Sequence, residues 1–105
     1  MSEWVKACSK GSLRPEEARR FDHSGKTYAI FCGPDGQFYA TDGLCTHESV
    51  HLANGLVIDF TIECPKHNGI FDFVTGEPKG PPVCKKLQTY PVKISDDDVF
   101  VAIPA

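Results

Sequence analysis

Four side chains in two short segments are the ones equipped for chemistry. Residues 42–51 read DGLCTHESVH and residues 63–69 read ECPKHNG. The first segment spaces Cys45 and His47 by one residue, and the second spaces Cys64 and His67 by two. Sixteen residues separate His47 from Cys64. Thiolate and imidazole are soft and borderline donors that suit zinc and iron. One such pair on each of two arms is the spacing of a single centre gripped from two sides. Gly43 precedes the first pair, Pro65 lies inside the second and Gly69 follows it. Such residues make tight turns that aim side chains inward and bring backbone N–H groups near a charged centre. Common zinc fingers pair Cys with Cys and His with His, whereas each arm here carries one of each. On the residues alone, a structural zinc site and an iron centre both stay open.

The segments that must hold these arms read as short strands. Ser24-Gly25 is a two-residue turn signal between Phe21 and the strand formers Tyr28 to Phe31. After the turn at Gly33-Pro34-Asp35-Gly36, residues 37–41 (QFYAT) read as a strand. Thr61–Glu63, Gly69–Phe73, Gln88–Ile94 and Val99–Ile103 are further strands, with a hairpin turn at Ser95–Asp98. The one helix-like stretch is Pro15 to Arg20 (PEEARR). Trp4 is expected to pack an amino-terminal strand into the core. Many short strands with Gly/Pro turns indicate an all-β sandwich or barrel. Residues from about 42 to 86 are richer in Cys, His, Gly and Pro, and read as a smaller subdomain inserted in a basal β unit.

Length and composition narrow the function. The 105 residues suit a single domain, 1–105. A chain of this size buries roughly 60–70% of its surface on folding, enough for a modest core. The net charge of −3 argues against nucleic acid, which demands a basic face. No apolar run reaches the length of about 20 residues that a membrane helix needs. The start MSEWVKACSK lacks the apolar centre of a secretory signal, so a cytoplasmic location is expected. The five cysteines then read as metal ligands or buried thiols rather than disulfides.

Cys45-Thr46-His47, the sixteen-residue gap and Cys64-Pro65-Lys66-His67 resemble the signature of the Rieske [2Fe–2S] family. Supporting matches are Tyr39 to Gly43 before the first arm, Phe71 and Thr75-Gly76 after the second, and Gly80-Pro81-Pro82 beyond. Asn68 stands where the family has Gly, and Asn tolerates a left-handed backbone better than most residues. The resemblance runs over nearly the whole chain and is to stand-alone bacterial Rieske ferredoxins. ATDGLCTHE, HLANG, ECPKHNG and KGPPVC are more narrowly similar to the rhizopine-catabolism (MocE-type) ferredoxins.

The resemblance implies a basal antiparallel β unit carrying a small cluster-binding subdomain, with one [2Fe–2S] cluster per chain. It implies that Cys45 and Cys64 hold one iron, and His47 and His67 the other. Neutral imidazoles in place of two thiolates raise the potential of such a cluster, into a range of about −150 to +300 mV. The family's high-potential branch adds a disulfide between the arms and hydroxyl groups aimed at the sulfurs. The matching positions here are Val50 and Lys66, then Gly69 and Phe71, so neither device is available and a potential near the low end is expected. That suits a monomeric electron carrier between an NAD(P)H-dependent flavoprotein reductase and the terminal oxygenase of a Rieske system. The chain itself is not expected to be the oxygenase, which needs a mononuclear iron bound by two histidines and a carboxylate. A zinc-stabilised binding module without redox activity, and a small subunit fixed to one oxidoreductase, are the competing readings.

The remaining candidates read more plainly. His51 is an ordinary polar loop residue in preference to a docking residue, and His23 a solvated hairpin residue. Cys8, Cys32 and Cys84 are small buried apolar residues, and Pro81-Pro82 are a stiff lid over the cluster. Glu48 and Lys66 flank the docking tip. Asp96 to Asp98 form a turn distant from the cluster.

Overall fold

The computed structural model describes residues 2–46, 50–66, 69–80 and 85–104, and the fold is all-β with antiparallel pairing throughout these residues. Strands β1 (Ser2–Ser9), β10 (Asp98–Pro104) and β9 (Val92–Ser95) form one sheet in that order. Strands β2 (Glu17–His23), β3 (Lys26–Cys32), β4 (Phe38–Asp42) and β8 (Thr89–Tyr90) form a second. A third is built from β5 (Leu56–Ile58), β6 (Thr61–Glu63) and β7 (Ile70–Asp72).

Strand β3 shows why the chain needs an almost continuous apolar run at KTYAIFC. Its side chains alternate between faces, as strand geometry requires. Tyr28, Ile30 and Cys32 enter a core shared with Val99, Val101 and Ile103 of β10. Ala29 and Phe31 enter a second core with Ile62, Phe71, Phe73 and Leu87. The strand is therefore the wall between two cores, and neither face can be polar. Phe31 and Phe73 stack with ring centroids 4.7 Å apart across the second core. Burying each such ring contributes about 1.5–3 kcal/mol.

Turn chemistry sets the registers. Ser24 and Gly25 both have left-handed backbones (φ 50° and 79°), the type I′ geometry that matches strand twist, and His23 pairs with Lys26 across them. Asp96 and Asp97 (φ 51° and 65°) repeat this between β9 and β10. Pro91 splits the expected strand over Gln88–Ile94. Lacking an N–H, it ends pairing on β4 and lets the chain cross to the first sheet, where its carbonyl accepts from the Ala102 amide at 2.9 Å.

Two expectations are corrected. Glu17 to Arg20 are strand, not helix: PEEARR has no apolar face of helical period, and all seven residues of β2 find partners on β3. Trp4 is 44% exposed rather than packed in the core, and carries the Lys93 ammonium 4.6 Å from its ring centroid on the outer face of the sheet. Strand β5, unmarked by alternation in so short a segment, is an element the sequence reading did not identify.

Candidate metal centre

Cys45 and Cys64 are 6% and 1% exposed and lie in the same core, the one beyond β3 that also holds Leu52, Phe71 and Leu87. They arrive there on two loops closed in the same way. The Cys45 amide donates to the Val50 carbonyl at 3.0 Å, and the Cys64 amide donates to the Gly69 carbonyl at 2.6 Å. Each bond spans five residues, so each cysteine sits at the entry of a tight hairpin tip. The two other candidate ligands, His47 and His67, occupy those tips in the sequence and lie outside the described residues. Glu48, Cys84 and the proposed lid Pro81-Pro82 also lie outside them.

The donor chemistry fits an iron–sulfur centre. Two thiols converge from separate loops into a core otherwise lined by Phe, Leu, Ile and Val, an environment that gives soft sulfur donors little competition. Val50, half-buried, packs against the same core, and Lys66 is exposed at the second tip. Phe71 is fully buried and offers no hydroxyl.

Different elements hold the two loops. The second is the connection of the β6–β7 hairpin, whose ladder pairs Glu63 with Ile70 next to the closing bond. Gly55 lies against its base: a Cβ there would stand 2.1 Å from the Glu63 carbonyl oxygen. The first loop leaves β4 at Asp42. Asp42 accepts from the Tyr90 hydroxyl at 2.5 Å and pairs with Lys26 at 3.2 Å, and Lys26 also donates to the Tyr90 hydroxyl at 2.8 Å. The bond to Tyr90 and the Asp42 carboxylate raise the Lys26 pKa; burial, with the bond to Asp42, raises that of Tyr90. Thr46 donates to the Lys85 carbonyl at 3.0 Å. Leu44, beside Cys45, is 44% exposed.

His51 is the residue the sequence reading placed wrongly. It is 6% exposed, which rules out a docking or solvated loop role. Its Nδ1 caps the 3-10 turn Leu52–Asn54 by accepting the Ala53 amide at 3.0 Å, and its Nε2 lies 2.8 Å from the Thr27 hydroxyl. The available signal was HLANG itself, a turn closed by Gly, with His in place of a usual capping residue. His23 behaves as read: half-exposed at the end of β2, its ring against Phe21. Cys8 and Cys32 are buried in the first core, and burial pushes both thiols up in pKa.

Comparison with known proteins places this arrangement. The profile of the Rieske [2Fe-2S] domain matches residues 3–91. The biphenyl dioxygenase ferredoxin subunit of Pseudomonas sp. (strain KKS102) is 40% identical, over 93% of this chain and 90% of its own length. The solved Sphingomonas yanoikuyae B1 ferredoxin superposes with a TM-score of 0.90 at 33% identity, covering 97% of this chain and 100% of that one. The ferredoxin solved with the reduced oxygenase of carbazole 1,9a-dioxygenase gives 0.89 at 33% identity, covering 93% and 100%. The described residues include no helix long and apolar enough to cross a membrane.

Proposed function

The chain belongs to the Rieske [2Fe–2S] domain family, whose cofactor is a [2Fe–2S] cluster, and on that premise we propose that it carries single electrons from an NAD(P)H-dependent flavoprotein reductase to the terminal oxygenase of a catabolic Rieske system. It is an electron-transfer component and not the oxygenase, in keeping with relatives named as ferredoxin subunits of dioxygenase systems. The observation that carries the reading is the convergence of Cys45 and Cys64, both buried, on two loops with the same closing bond. In this reading Cys45 and Cys64 hold one iron, and His47 and His67 the other. The bound cluster supplies the one-electron storage.

The chain's own residues do the rest. The core around Cys45 and Cys64 excludes water from the thiolate side. Val50, Lys66, Gly69 and Phe71 supply no bridging disulfide and no hydroxyl to stabilise a more negative reduced state. The midpoint then falls near the low end of the range, at about −150 mV. Leu44 offers an apolar contact for a partner immediately beside the first loop. The same reading treats residues 1–105 as one domain, with a cluster-binding part at about 42–86 supported by the β5–β6–β7 sheet falling inside it. It also makes the protein a cytoplasmic monomer that diffuses between its partners.

EPR of the dithionite-reduced protein, combined with a redox titration, tests this. The expected result is a signal with the low average g of mixed Cys/His ligation, titrating well below zero. A colourless protein containing zinc overturns the reading, and a midpoint well above zero overturns the low-potential assignment.

A further inference from the structure

His51 is joined at both ring nitrogens, and the partners fix its proton. Nδ1 accepts the Ala53 amide at 3.0 Å and so carries no hydrogen. The proton is therefore on Nε2, which donates to the Thr27 hydroxyl oxygen at 2.8 Å. The path from the Ala53 amide through the His51 ring to the Thr27 hydroxyl therefore runs in one direction.

Thr27 also meets the other side of the first ligand loop, its carbonyl accepting from the Gly43 amide at 3.0 Å. Gly43 and Leu52 close the base of that loop, the Leu52 amide donating to the Gly43 carbonyl at 2.8 Å, and Leu44 pairs with His51 just inside. The imidazole lies flush against Gly43: a Cβ there would stand 2.6 Å from Nε2 and 3.0 Å from the Thr27 carbonyl. Both sides of the loop's base thus rest on one residue of β3. Capping the 3-10 turn alone would need only Ser, Asp or Asn. The imidazole adds the reach that lets a second atom bind β3.

We propose that the Thr27–His51 bridge is the positioning device of the first ligand loop, fixing its base on β3 and so setting the orientation in which Cys45 meets the cluster. This rests on the assignment of Cys45 as a ligand. It extends the site to Thr27, which lies on β3, outside both ligand loops.

The test uses the holoprotein with Thr27→Val, Thr27→Ser and His51→Asn. Valine matches threonine in shape without the hydroxyl, serine restores it, and asparagine keeps the cap but is too short to reach Thr27. Expected are altered g-values of the reduced protein and about fivefold faster cluster release to an iron chelator in Thr27→Val and His51→Asn, the equivalent of one hydrogen bond. Thr27→Ser is expected to regain parental values. Parental g-values and release rate in Thr27→Val overturn the bridge. If that variant fails to yield holoprotein, parental behaviour of His51→Asn overturns it equally. A parent protein lacking the mixed-ligand signal overturns the ligand assignment instead, which keeps the two levels separate.

Discussion

The two ligand loops share a closing bond but not a foundation. The second loop grows out of a β-hairpin, and its base is set by backbone pairing of β6 with β7 and by the close approach of Gly55. Among the described residues the first has one isolated backbone bridge inside it, Leu44 with His51, and one backbone bond to β3, from the Gly43 amide to the Thr27 carbonyl, and side chains complete its seat: His51 on Thr27, Asp42 on Tyr90 and Lys26, Thr46 on Lys85. Backbone ladders tolerate exchange of side chains, whereas a seat made of side chains is specific to the residues that make it. The two candidate thiolate donors are thus delivered by one loop held mainly by a backbone ladder and by another whose seat adds side chains specific to this neighbourhood.

The largest effect ignores the difference. Cys45→Ser and Cys64→Ser are each expected to abolish the cluster, read as loss of iron and of the reduced-state EPR signal, because in the proposed assignment each supplies a thiolate to the same iron. Retention of the cluster in either variant would remove that cysteine from the ligand set.

Glycine variants separate the loops. In Gly55→Ala the new methyl meets the Glu63 carbonyl at 2.1 Å, a backbone atom of the ladder that cannot turn aside. The expected cost is about 3 kcal/mol, seen as a lower melting temperature. In Gly43→Ala the first obstacle is the His51 ring at 2.6 Å, which can move if the Thr27 bond is given up, although the Thr27 backbone stands at 3.0 Å behind it. A smaller loss, about 1–2 kcal/mol, is expected, with g-values moving as in Thr27→Val. Equal losses in the two variants, with no spectral change in Gly43→Ala, would erase the distinction between the loops.

Legibility in the sequence follows the same division. Strands β3, β4, β6, β7 and β10 and the Ser24-Gly25 and Ser95–Asp98 turns could be read because alternation and turn chemistry are local. The candidate ligands could be read because donor type and spacing are local too. Strand β2 could not, since a charged run such as EARR carries no signal of its own and is made a strand by pairing with β3. Trp4 misled because size was taken for burial, while the register with Ala102 turns it to the outer face. His51 misled for the deeper reason that its partner Thr27 lies 24 residues away, and only folding brings the two together.

A docking variant probes the exposed side of the first loop. Leu44→Lys keeps the backbone bridge to residue 51 and replaces an exposed apolar contact with a charge. About a tenfold higher apparent KM for reduction of the partner oxygenase is expected, the loss of one partly buried Leu, with an unchanged midpoint potential. An unchanged KM would place the docking face elsewhere.

The smallest effect is a pH dependence confined to the first loop. Burial, and then the Arg20 guanidinium, hold the His51 pKa below its ordinary value, against the pull of the Asp22 carboxylate and the Tyr28 backbone. The folded protein therefore binds a proton at His51 less readily than the unfolded chain does. Stability from the neutral ring is complete above the unfolded pKa of about 6.5 and is lost as pH falls toward the lower folded value. The loss has a structural route: a protonated Nδ1 can no longer accept the Ala53 amide. His51→Asn has no such proton to gain, and the other titrating groups are common to both proteins and cancel in the comparison. At pH 7.5 the parent should melt above His51→Asn by the equivalent of about 1 kcal/mol, and at pH 5.5, at one scan rate, the gap should narrow. A gap that stays constant or widens on acidification would mean that His51 is not held neutral in the folded protein.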